Sequence, residues 1–166
     1  MAAPRVRVPK LPLTLKERSA LRRAHLSRID LVRLDPQKLM QATQGALPGK
    51  RAQELCSLAQ FQQLPFIGPS IATDLLRLGL KNLMDVKKAD PGALLKRLER
   101  LAGKQDPCVG DVLHSAVWNA KNPKGPERPW WEWSKQRLAK SEKPRKAAGK
   151  ASKANMPVRP KRKPAG

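Results

Sequence analysis

The chain has 166 residues, 35 of them Lys or Arg and 13 Asp or Glu, for a formal net charge of +22 and a sequence pI of about 11.0. Such charge repels itself in a compact body unless a polyanion offsets it, so DNA, RNA or an anionic membrane surface are the candidate partners. No run of about 18 apolar residues exists, which excludes a transmembrane helix. The two cysteines, Cys56 and Cys108, are too few for a disulfide framework.

The charge lies mostly at the two ends. Residues 1–50 carry 11 basic and 3 acidic side chains and residues 141–166 carry 9 and 1, against 8 and 5 in 51–101 and 7 and 4 in 102–140. A balanced, apolar-rich middle can bury a core, while basic ends act as electrostatic tethers. The expected organisation is a basic N-terminal arm with a short helix over 1–27 and a helical domain over 28–122. A Trp-rich segment packing on that domain follows over 123–140, then a disordered basic tail over 141–166.

Residues 1–13 are proline-punctuated and basic, without periodicity, and read as a flexible arm. No apolar run follows their charges, so a secretory signal is not expected and a cytoplasmic location is, nucleoid-associated if the chain binds DNA. Thr14-Leu15-Lys16-Glu17 fits a capping box, and Leu15, Leu21 and Ala24 predict a short helix ending near His25. From Ile29 to Asn122 apolar residues recur at helical spacing between Pro and Gly punctuation, in segments of normal helix length. Alternating strand patterns are absent. The fold class is all-α.

Asp30-Leu31, Asp35-Pro36 and Leu39-Met40 recur as Asp85-Val86, Asp90-Pro91 and Leu94-Leu95, an offset of 55 residues. In both copies Asp can cap a helix that starts with Pro. Either a helical unit is duplicated, with Gln44–Lys50 as a second, degenerate hairpin, or the echo is a common helix start used twice. Residues 141–166, rich in Lys, Pro, Ala and Gly, hold too little apolar surface to offset ordering entropy. Their basic run, Pro157 to Pro164, suits either a localisation signal or a tail that binds nucleic acid.

The stretch from Phe61 to Gly79 is the richest. Pro65 ends a helix, Gly68 supplies freedom for a positive φ, and Pro69 starts a second helix that Gly79 terminates. Ile71, Leu75 and Leu78 form its buried stripe, with Leu64 and Ile67 as lids. Such a turn points free N–H groups outward beside a positive helix end, an anion site that needs no charged side chain. A phosphodiester oxygen fits it and carries no base information.

Leu64-Pro65-x-Ile67-Gly68-Pro69-Ser70-x-Ala72 is similar to the hairpin signature of the helix-hairpin-helix superfamily of DNA repair proteins, polymerases and ligases. Asp74-Leu75-x-x-Leu78-Gly79-Leu80, Asp85-Val86, Asp90-Pro91, Gln105-Asp106-x-Cys108-Val109 and Trp130-Trp131-x-Trp133 narrow the likeness. Over about residues 60–135 the chain resembles the small bacterial pathogenicity-locus family, also labelled mitomycin-resistance proteins. The resemblance implies a compact helix-hairpin-helix domain that binds DNA. In that superfamily a hairpin can hold a monovalent cation through backbone carbonyls, here those of Gln62, Leu64 and Ile67; no other cofactor is expected.

The sequence departs from the superfamily pattern at Phe66, which replaces the first hairpin glycine. If that position needs a positive φ, Phe is strained and hinders close approach of a phosphate; alternatively its ring lies against a sugar or base. Phe66, Ile67, Gly68, Ser70 and Ile71 are the candidate contacts, with Arg77 and Lys81 flanking them.

The remaining chemistry is sparse. Cys108 at a helix start could be activated by the dipole, but Val109, Val112, Leu113 and Val117 mark that helix as buried and favour a structural thiol. His25, Cys56, Cys108 and His114 lack metal-ligand spacing, and Asp74, Asp85, Asp90 and Asp106 read as caps or exposed positions. Trp130, Trp131 and Trp133 either stack on bases or, as favoured here, pin the segment to the core with one indole left exposed. No catalytic motif appears. The expectation is sequence-nonspecific DNA binding through the hairpin, aided by the basic ends, with RNA as another polyanion and a protein-interaction adaptor as the alternative.

Overall fold

The computed structural model describes residues 5–142. Eight α-helices follow one another: α1 (Leu15–Arg23), α2 (Pro36–Ala42), α3 (Gly49–Phe61), α4 (Pro69–Arg77), α5 (Leu83–Lys88), α6 (Pro91–Ala102), α7 (Pro107–Lys121) and α8 (Trp131–Glu142). A 3-10 turn, Asp30–Val32, precedes α2, and no strand occurs among the described residues. Among the described residues, those up to Ser134 form one compact unit and residues 135–142 belong to a second. No helix among the described residues is long and apolar enough to cross a membrane. The expected tail beyond Glu142 lies outside the described residues.

Local chemistry sets the helix starts. Thr14 and Glu17 close the predicted capping box on α1. Asp35, Asp90 and Asp106 each accept a first-turn N–H ahead of a proline, starting α2, α6 and α7. Asn82 does the same for α5 without a proline. Asp74 is not a cap: it lies half-buried within α4, where desolvation raises its carboxyl above the usual range despite Arg77 nearby.

The core of the first unit is aliphatic. α3 buries Ala52, Leu55, Cys56, Leu58, Ala59 and Phe61 and packs on α2, α4 and the 3-10 turn. α7 buries Leu113, Ala116 and Val117 and packs on α5 and α6. Leu31 and Leu39 of the echo are fully buried, and their counterparts Val86 and Leu94 are buried as well. The equivalence extends to helix ends: Leu26 N–H donates to Leu21 O after α1 as Leu80 N–H donates to Leu75 O after α4. His25 (φ +55°) and Gly79 (φ +87°) take the left-handed position in these two ends, 54 residues apart.

Two apolar expectations change. Leu15 is 83% exposed, so it contributes to α1 as a helix former rather than as core. The stretch read as a flexible arm is tied down over residues 7–11. Arg7 N–H donates to Gln63 Oε1 and Gln63 Nε2 donates to Arg7 O, at 2.9 and 2.8 Å; Gln62 makes the same pair with Lys10, both at 2.9 Å. Pro9 and Leu11 are buried between these clamps and α1. Two side-chain amides thereby replace the sheet partners that an extended segment otherwise needs.

Candidate nucleic-acid interface

The turn between α3 and α4 occupies residues 62–68. After Phe61, Leu64 N–H donates to Phe61 O at 3.1 Å and Ile67 N–H to Leu64 O at 3.3 Å. Leu64 and Ile67 are the lids the sequence predicts, each 5% exposed. They anchor the turn from inside, so the side chain of Ile67 is unavailable to a ligand. Of the stripe on α4, Leu75 and Leu78 are buried and Ile71 is half-buried.

The positive φ falls on a different residue from the one expected. Gly68 has φ −93° and ψ −176°, an extended N-cap conformation open to any residue. Phe66 carries the left-handed backbone, at φ +65°. The correction has a physical basis: the chain reverses one residue after Pro65, whose ring fixes its own φ, and Gly68 already runs straight into α4. A Cβ at Gly68 would meet nothing within 4 Å. Neither dihedral angle nor internal packing therefore accounts for glycine there.

Just beyond, Pro69 has no N–H, and the N–H groups of Ser70 and Ile71 find no acceptor among the described residues. Ala72 N–H is the first of α4 to bond back, to Gly68 O at 3.0 Å. Gly68, Pro69 and Ser70 are all exposed. The result is an open helix start with unobstructed donors.

Arg77 and Lys81 are not part of the same point. Arg77 lies about 10 Å farther along α4 from Ser70, at 1.5 Å per residue, and its guanidinium is 3.8 Å from the Asp74 carboxylate. Lys81 is exposed, its backbone held by Asp85, which accepts its N–H at 2.8 Å, and by Ser57, whose hydroxyl donates to its carbonyl. With Lys88 and Arg97 it lines an open groove of about 540 Å³ that Asp85 and Asp90 also border. The seven predicted contacts thus split into five at the turn and the first residues of α4, and two at or beyond the far end of α4.

Two cations that the sequence did not single out and a pair of aromatic rings that it did lie near the turn. The Gln63 and Gln62 clamps place Arg7 and Lys10 beside it, both exposed. Arg7 has a carboxylate partner in Glu127 at 3.8 Å, but both side chains are about half exposed and such pairs are weak. Phe66 meets Trp131 edge to face, with centroids 5.3 Å apart and planes at 73°. Trp131 meets Trp130 in the same manner at 5.9 Å.

Packing of the Trp-rich segment rests on α7. Asn119 both accepts from Arg128 N–H and donates to Arg128 O, at 3.0 Å each, and Ser115 donates to the same carbonyl at 2.7 Å. Ser134 donates to Asp111 at 2.6 Å. The Arg128 guanidinium lies over the Trp118 and Trp133 rings, 5.2 and 4.3 Å from their centroids, with Glu132 on its Nε at 2.7 Å. Trp133 is therefore engaged in packing, whereas Trp131 is 44% exposed. Asp111, Ser115 and Asn119 recur every four residues in a helix otherwise rich in apolar residues, a polar stripe that marks this docking face in the sequence itself.

The two thiols differ in setting. Burial pushes Cys56 up to about 11, and Cys108 is half-buried at the start of α7, its N–H on Asp106 at 2.8 Å. No cluster of His, Cys, Asp or Glu with metal-binding geometry occurs among the described residues.

A family model described as pathogenicity locus (Cdd1) matches residues 54–139, from α3 through most of α8. No curated protein and no solved structure matches the chain.

Proposed function

The chain belongs to the pathogenicity locus family, and from that premise we propose that it is a non-catalytic nucleic-acid-binding protein with DNA as its principal partner. In this reading α3, the turn and α4 act as a helix-hairpin-helix. The N–H groups of Gly68, Ser70 and Ile71 hold a backbone phosphate, and the dipole of α4 adds to the attraction. Arg77 and Lys81 reach a further phosphate along the strand, and the basic ends supply long-range attraction. Contacts of this kind fix the backbone and leave the base sequence unread.

The observation that carries this reading is Gly68, whose missing side chain neither the fold nor its dihedral angles require. Glycine at such a place fits close approach of another molecule's backbone. Gly68→Val tests it directly, because φ −93° suits a β-branched residue and a Cβ there meets nothing within 4 Å. The helical content should be unchanged while affinity for a short DNA duplex drops. Unchanged affinity in a gel-shift series would sink the hairpin contact and favour the adaptor reading, in which the exposed Phe66–Trp131 pair docks a protein.

A further inference from the structure

The rings at the turn carry an inference that rests on this nucleic-acid reading and sharpens it. Phe66 holds a left-handed backbone that glycine adopts freely and phenylalanine does not. At a helix end, as at His25, that conformation is a cap; on a bulky aromatic residue inside a turn it is an outlier that points to a use for the side chain. The ring gains no core position in return: Phe66 is 37% exposed and Trp131, on which it rests, 44%. An edge-to-face pair covers only one of its four ring faces and leaves the others for a further ring.

We infer that Phe66 and Trp131 form a stacking platform for an unpaired nucleobase, so that the chain prefers single-stranded or junction DNA over intact duplex. Every base has a π-face, so such stacking is tolerant of sequence and agrees with backbone-only contacts at α4. Bases within a duplex already have both faces covered, which makes an unpaired base the ligand that fits. Charge selects a nucleic acid over an apolar protein surface. The Gln63 and Gln62 clamps set Arg7 and Lys10 beside the turn, and the donors of Ser70 and Ile71 open a few residues from the ring. A strand whose phosphate meets those donors would bring its neighbouring base onto Phe66.

The platform is tested with the full chain by fluorescence anisotropy, comparing a labelled oligothymidylate with a duplex of equal length at one salt concentration. Phe66→Gly relieves the backbone conformation and leaves the fold intact by circular dichroism. Trp131→Leu leaves the turn backbone alone. Both variants should weaken single-strand binding on the order of tenfold more than they weaken duplex binding. If wild type and both variants bind the single strand equally, the platform is wrong and the ring pair is left for a protein partner. If wild type binds neither nucleic acid at that salt concentration, the underlying reading fails as well.

Discussion

The guanidinium of Arg51 serves three acceptors at once. It grips Glu17 with two hydrogen bonds, at 2.7 and 3.2 Å, and reaches Pro12 O at 2.7 Å and Glu54 at 3.3 Å. One side chain on α3 thereby fastens α1 and the segment ahead of it. A lysine could not reproduce the fork. Arg51→Ala should destabilise the chain by about 1–3 kcal/mol, because charge-assisted bonds are the strong ones and Glu17 is left largely buried; chemical denaturation measures it. The same bonds hold the Glu17 carboxyl below its ordinary value of 4.5. A depressed carboxylate contributes stability above its unfolded pKa and loses it as pH falls through the folded one. An acid titration should therefore weaken wild type below about pH 4.5, and Glu17→Gln should flatten that dependence. Phe66 and Gly68 show the limit of reading a turn at this scale. Both candidates are legible as turn residues, but which of them takes the positive φ depends on where Pro65 leaves the chain and where α4 begins, and that is a property of the whole turn.

Helix boundaries were legible for a local reason. An Asp followed by Pro satisfies a first-turn N–H and sets φ for the first helical residue, so α2, α6 and α7 begin where the sequence places them. Helix ends are matched as closely: Gly79 and His25 close α4 and α1 in the same left-handed conformation. Only glycine is free of steric cost there. His25→Gly should raise stability by up to about 1 kcal/mol, and Gly79→Ala should lower it by a similar amount, both read from thermal unfolding. The tied N-terminal segment was not legible, because its clamps come from Gln62 and Gln63, more than 50 residues away, and no local pattern announces them. The α7 stripe was present in the sequence but overshadowed by the apolar residues around it. Asn119→Ala removes both bonds to the Arg128 backbone and should cost about 1–3 kcal/mol. A shift in tryptophan fluorescence would accompany it as the Trp118–Arg128–Trp133 sandwich loosens.

At the scale of the molecule, the +22 charge and the turn make separable contributions to binding. Charge acts at a distance and is screened by salt, whereas the α4 donors act only at contact. Removing residues 143–166, which carry 9 basic side chains, should flatten the slope of log affinity against log salt by up to about 0.9 for each phosphate no longer neutralised. The contribution of Gly68, compared at fixed salt, should persist. The all-helical architecture followed from periodicity and punctuation alone, while the composition of the site did not. Five of its expected residues gather at the turn, Arg77 and Lys81 stand apart, and Arg7, Lys10 and Trp131 join from segments distant in sequence. The central claim is that nucleic acid meets the chain at this turn. An NMR titration of the full chain with a short DNA carrying a single-stranded overhang tests it most directly. Saturable shifts of the Phe66, Gly68, Ser70 and Ile71 amides are the predicted result; shifts confined to the basic ends, with residues 66–72 unmoved, would contradict it.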